Sequence, residues 1–162
     1  SARPAVPLPT VVTDLRRLGT VLAAAELAGI AARALETART YALERQQFDV
    51  PIGSFQALQH RAADMYAETE LCKSSMILAA IEADDDDEEM RKREISTAKL
   101  QLGRGGWYVM ENAIQLFGGI GVTDEQDEGL FFKRLRVLQA LFGDAEWHAD
   151  RFQRLPHFAT LD

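Results

Sequence analysis

Gln115-Leu116-Phe117-Gly118-Gly119-Ile120-Gly121 closes a long amphipathic pattern and governs how the rest of the chain is read. Three glycines in four positions end a helix and leave backbone N–H groups uncovered, which suits close approach by an anionic or polar ligand. The same residues also serve as an ordinary glycine cap between two helices, so the stretch by itself leaves both readings open.

Upstream, Ile95, Ala98, Leu102, Gly105, Val109, Ala113 and Leu116 recur at steps of three and four, the period of one helix face. Gly103, Gly105 and Gly106 each cost that helix roughly 1 kcal/mol of propensity, which close packing of another backbone would explain. The acidic run from Asp84 to Glu89 lacks the alternating ligands, central glycine and distal glutamate of a calcium loop. It is expected to be a solvated turn whose last carboxylates cap the helix that follows. Downstream, Thr123, Asp124, Glu125, Asp127 and Glu128 suggest a helix start. The helix would carry Leu130, Phe131, Leu135, Leu138 and Leu141. Gly143 interrupts, and a short helix over Asp144 to Gln153 is expected before Pro156.

In the first half, Pro4, Pro7 and Pro9 favour extended backbone, so residues 1–12 are expected to be a linker or cut end. A helix is expected from Thr13, or from Asp14 as alternative N-cap, towards Gln47. Its inner face is taken as Leu15, Leu18, Leu22, Ala25, Gly29, Ala32 and Leu35, and its alanines present a slim surface to neighbours. Pro51 and Gly53 stop it. Ser54 is the expected N-cap of a second helix with a core seam at Phe55, Leu58, Ala62, Met65, Thr69, Cys72 and Met76. Strand alternation is absent. The expected fold is all-α, an antiparallel bundle of four to five helices over residues 13–155, with 156–162 as a tail.

Composition narrows the function. A net charge of -7 argues against a general nucleic-acid or anionic-membrane binder. The single Cys72 cannot form an internal disulfide, so a reducing, cytoplasmic setting is expected. No apolar run suggests a membrane span. His60, His148 and His157 lack metal-ligand spacing, so no metal is expected, and His60 and Tyr66 are read as packing or surface residues.

Arg45-Gln46-Gln47-Phe48, then Pro51-Ile52-Gly53-Ser54-Phe55-Gln56 and Ala63-Asp64-Met65, then Gln115 to Gly121, follow one another in an order and spacing that resembles the acyl-CoA dehydrogenase C-terminal domain. The likeness runs from about Leu15 to Arg151. Members of that family carry a helical and a β domain before this bundle. This chain holds neither, so it is expected to be a fragment, a remnant or one piece of a split protein.

The resemblance implies an FAD-dependent oxidoreductase acting on an acyl-CoA thioester, with this bundle at the core of a tetramer. It implies that Arg45 meets the cofactor diphosphate across a subunit interface, that Phe48 and Gln56 belong to the same site, and that Gln115, Leu116, Phe117, Gly118 and Gly119 wrap the adenosine side. A guanidinium fork suits the first task. A surface salt bridge is the alternative for Arg45 and a side-chain cap that for Gln115.

The family's chemistry also needs a carboxylate base. The resemblance puts it at Phe142, before Gly143, or in some relatives at Gly19 on the first helix; neither residue here can take a proton. Asp144 and Glu146 stand where the family has a hydroxyl and an amide, although a local shift could bring Asp144 in as a base. The chain therefore resembles the base-lacking subunit of a heteromeric, steroid-CoA type dehydrogenase, paired with a homologous subunit, or with itself in a dimer of dimers. Electron-transferring flavoprotein is the acceptor the family implies. A self-sufficient homotetrameric dehydrogenase, oxidase or monooxygenase with its base elsewhere, and a cofactor-free helical oligomerisation module, are the alternatives.

Overall fold

The computed structural model describes residues 7–118 and 128–156. Five α-helices, α1 (Leu8–Glu44), α2 (Gln56–Glu82), α3 (Glu88–Phe117), α4 (Glu128–Ala140) and α5 (Ala145–Gln153), account for most of them. α3 is central and packs against α2, α1, α5 and α4. The all-α bundle is as the residues lead one to expect.

The boundaries of α1 differ from expectation at both ends. It begins at Leu8, with Pro7 as N-cap and proline in the first turn. A proline there loses no helical hydrogen bond, because the first N–H groups have no partner in any case. So the expected 1–12 linker is helical from Leu8, and residues 1–6 lie outside those described. α1 ends at Glu44 rather than Gln47. Gln46–Gln47 (β1) and Val50–Pro51 (β2) then form a small antiparallel hairpin in which Gln46 faces Pro51 and Gln47 faces Val50. Phe48 and Asp49 make its turn with φ of 56° and 62°. Two successive left-handed residues match the twist of a two-residue hairpin, which the helical pattern of Tyr41 to Glu44 concealed.

The inner face of α1 is also not the expected one. Thr20, Ala23, Ala24, Leu27, Ala28, Ile30, Ala31, Ala34 and Ala38 are buried, while Ala25 and Gly29 are exposed and Leu15 and Leu22 are 63% and 70% exposed. The alanine row lets α2 and α3 approach closely, and that gain outweighs burial of the leucine row. The same helix has an 18-residue window of mean hydropathy 1.5, long and apolar enough to cross a membrane by length and composition, contrary to expectation. Its alanine face is buried within the bundle, the position of a core helix.

A 3-10 turn (Ile52–Ser54) precedes α2, so Phe55 rather than Ser54 is its N-cap, and the Ser54 hydroxyl donates to the Pro51 carbonyl instead. Met65, Thr69 and Cys72 of the expected seam are buried, but Phe55 stays exposed at the helix start. The α3 face is as expected, with all seven stripe positions buried. Asp87 caps α3 by accepting from the Glu89 and Met90 N–H groups. Its glycines face side chains more than backbone: a Cβ on Gly105 would lie 2.7 Å from Glu68 Oε2 and 2.9 Å from Cys72 Sγ, and one on Gly103 would lie 3.1 Å from the Ala145 Cβ. Leu135 and Leu138 bury α4, whereas Leu130 and Leu141 are exposed. The expected helix start from Thr123 to Asp127 lies outside the described residues, as do residues 157–162 of the tail.

Candidate functional site

The sequence-predicted residues gather at one end of the bundle. The hairpin is held to α1 by the Arg45 N–H donating to Tyr41 O at 2.8 Å and by Ile52 N–H donating to Arg45 O at 2.8 Å. Gly53 is required where the turn crosses α1, since a Cβ there would lie 3.0 Å from the Ala42 carbonyl oxygen. The end of α3 meets this corner through Phe117, whose ring stands 4.6 Å from that of Tyr41. Leu116 closes an apolar cavity of about 130 Å³ with Ala38, Ala42, Leu58 and Met65.

This end presents unengaged groups outward. Arg45 is exposed and has no carboxylate partner among the described residues, so the salt-bridge alternative has no support there. Phe48 is 87% exposed, edge-on to Phe55 at 6.2 Å. Gln56 and Gln115 are exposed. Gly118 caps α3 with φ 63° and its N–H on the Gln115 carbonyl, and a Cβ there would meet nothing within 4 Å among the described residues. The open space over Gly118 is what close approach of a ligand to backbone requires. Gly119, the remaining expected cofactor residue, lies outside the described residues with Ile120 and Gly121.

The other expected positions meet near the opposite end of α1. Phe142 sits in the corner between α4 and α5 with φ 61°, followed by Gly143 at φ 103°. Its ring lies against Gly19, where a Cβ would come within 2.4 Å of Phe142 Cζ. The Phe142 carbonyl is 3.2 Å from His148 Nε2. Asp144 caps α5 by accepting from the Trp147 N–H at 2.8 Å, and Glu146 pairs with Arg104 at 2.7 Å. Both carboxylates beside Gly143 thus have structural partners.

Two buried groups that support this corner escaped the sequence reading. Lys99 lies on the buried face of α3 and its ammonium donates to the Leu138 and Gln139 carbonyls at 2.7 and 3.2 Å, capping α4. Burial pushes Lys99 down to about 8, partly opposed by Asp144. His148 is fully buried, and burial followed by the charges of Lys99 and Arg151 pushes it down to about 4, so its imidazole is neutral. It then donates from Nε2 to Phe142 O, and Nδ1 has no partner among the described residues. The available signal for Lys99 was its place beside Ala98 and Leu102 on the apolar stripe.

The fold and these two ends define an all-α domain that presents an exposed arginine beside a glycine-capped helix end at one end and a hydrocarbon-filled corner at the other. Residues 13–155 match the family model for the acyl-CoA dehydrogenase C-terminal domain. The chain belongs to that family. It is 40% identical over 114 residues to the acyl-CoA dehydrogenase IpdE2 of Mycobacterium tuberculosis, covering 70% of this chain and 34% of that protein. Among solved structures it is similar to the Tcur3481-Tcur3483 steroid ACAD, G363A variant, with a TM-score of 0.81 and 29% identity over 88% of this chain and 39% of that one. It is similar also to PigA with FAD and proline, with a TM-score of 0.81 and 25% identity over 89% of this chain and 37% of that one. The chain spans about a third of the length of the curated relatives it matches.

Proposed function

We propose that this chain is the C-terminal helical part of an FAD-dependent acyl-CoA dehydrogenase, and that it completes a partner subunit's flavin site while bringing no catalytic base of its own. The observation that carries the second half is the contact of the Phe142 ring with Gly19. The two positions where the family resemblance implies a carboxylate are one place in space, and hydrocarbon fills it.

Helix length supports a division of labour between subunits. Gly19 lies within α1 and Arg45 caps its end. At 1.5 Å per residue the two are about 39 Å apart, farther than an extended flavin dinucleotide reaches. One cofactor therefore cannot serve both ends of this chain. The residues at the Arg45 end fit the diphosphate and adenosine portion of FAD: an unpaired guanidinium that can bond two phosphate oxygens, and a glycine-capped helix end open to approach. FAD, when bound, supplies the acceptor for a hydride from the β-carbon of the acyl thioester. Arg45 would neutralise diphosphate charge, and Gly118 would let backbone come near the cofactor. In this reading the α-proton leaves to a carboxylate held by the partner, while Asp144 caps α5 and Glu146 pairs with Arg104.

The similarity to the Tcur3481-Tcur3483 steroid ACAD supports a homologous partner and a bulky acyl group. The test is the flavin-to-chain ratio of the complete protein from its source, together with the mass of each co-purifying chain. One FAD per two chains with a homologous second subunit is expected; one FAD per chain with no second subunit would overturn the reading.

A further inference from the structure

The corner between α4 and α5 holds its shape against local preference. Phe142 has φ 61°, a conformation that a bulky side chain adopts only where its surroundings impose it. A helix continuing through Phe142 would meet no such cost. The carbonyls at the end of α4 explain why the chain turns instead.

The last carbonyls of a helix lack partners within it, and in α4 these belong to Val137, Leu138, Gln139 and Ala140. The Leu141 N–H donates to Val137 O at 3.0 Å and the Gly143 N–H to Ala140 O at 3.4 Å. In a continuing helix the N–H groups of Phe142 and Gly143 would reach Leu138 and Gln139. Here the Lys99 ammonium donates to both carbonyls, at 2.7 and 3.2 Å. Lys99 is 1% exposed and forms no salt bridge among the described residues. A buried carbonyl without a donor is costly, and one cation meets that demand for two of them.

With those two carbonyls satisfied from α3, the backbone turns left-handed at Phe142 and Gly143. The His148 Nε2–H then donates to Phe142 O at 3.2 Å. Gly143 is required in this turn, since a Cβ there would lie 2.6 Å from Trp147 Cε3. The turn carries the Phe142 ring onto Gly19.

We propose that Lys99 is a positioning residue: by taking the two carbonyls that would otherwise prolong α4, it turns Phe142 aside and sets its ring over Gly19. The corner is thus closed by a buried cation on a third helix. This deepens the reading of the corner as lacking a base, and rests on it. The flavin-to-chain ratio decides that reading, whereas the experiment below decides only what places the ring, so the two fail separately.

The test compares the cost of Gly19→Ala, read as the loss in urea midpoint of the complete protein, in wild type, Lys99→Met and Lys99→Arg. In wild type the added methyl meets the ring and the midpoint falls. In Lys99→Met the ring is withdrawn, and the fall should shrink to less than about half. Lys99→Arg keeps both donors and charge and should restore most of it. A crystal structure of Lys99→Met should show Phe142 helical and α4 prolonged. A residue that merely adds stability would leave the cost of Gly19→Ala the same in every background. That result, or Phe142 still at positive φ in Lys99→Met, would overturn the proposal. Where Lys99→Met alone does not fold, Lys99→Met with Phe142→Ala decides, because alanine continues a helix without strain. Rescue of folding by the second change supports the proposal and failure to rescue overturns it.

Discussion

Arg45 and Gly19 stand near opposite ends of the same helix and differ in what lies across from them. Nothing of this chain's described residues pairs with the Arg45 guanidinium, and Phe48 beside it projects into solvent. Gly19, by contrast, is pressed by a phenyl ring so closely that any side chain would collide with it. One end is left open to solvent and the other is filled from within. An exposed cation costs little to keep, whereas a packed ring in a corner with positive φ is held only by its surroundings.

The comparison breaks most readily at Gly19. Gly19→Glu drives a side chain into the Phe142 ring and should destabilise the fold by about 3 kcal/mol, read as a shift in the urea midpoint at constant slope. Adding Phe142→Ala to Gly19→Glu should recover part of that loss. If Gly19→Glu alone is neutral, the ring is not fixed there and the closed corner is no barrier to a base.

Arg45→Ala tests the open end. Since no described residue pairs with the Arg45 guanidinium, stability should stay within about 0.5 kcal/mol of wild type, while flavin retained by the complete assembly through gel filtration falls roughly tenfold or more. Loss of stability without loss of flavin would make Arg45 a structural residue.

Acid separates the ends in another way. His148 titrates near 6.5 when unfolded and about 4 when folded, so between these values the unfolded chain binds a proton that the native corner refuses. Stability is complete above pH 6.5 and declines as pH falls towards 4. From pH 7 to 5 the loss should be on the order of 2 kcal/mol, shrinking in His148→Gln. The smallest change is expected at the hairpin. Asp49 holds φ at 62°, which glycine adopts freely, so Asp49→Gly should raise stability by about 0.5 to 1 kcal/mol while flavin content stays near wild type.

Much of this was written locally in the chain. The α3 stripe from Ile95 to Leu116 shows its period because only one of its faces is apolar, and Asp87 and Gly118 mark its ends by cap chemistry that depends on near neighbours. The arginine and glycine motifs could be found for the same reason, being short and contiguous. α1 carries two apolar rows, leucine and alanine, and periodicity alone cannot choose which of them is buried. That choice belongs to how closely α2 and α3 can approach. Likewise the residues at 19 and 142 are visible in sequence as the absence of a carboxylate at each, but not as a single contact. Their meeting depends on α4 returning along α1, as does the buried cap of Lys99 on α4. Sequence by itself determined the helices, their caps and the family motifs, which are set by interactions over a few residues. Tertiary structure decided which faces are buried and which distant residues touch, because those depend on packing between segments far apart in the chain.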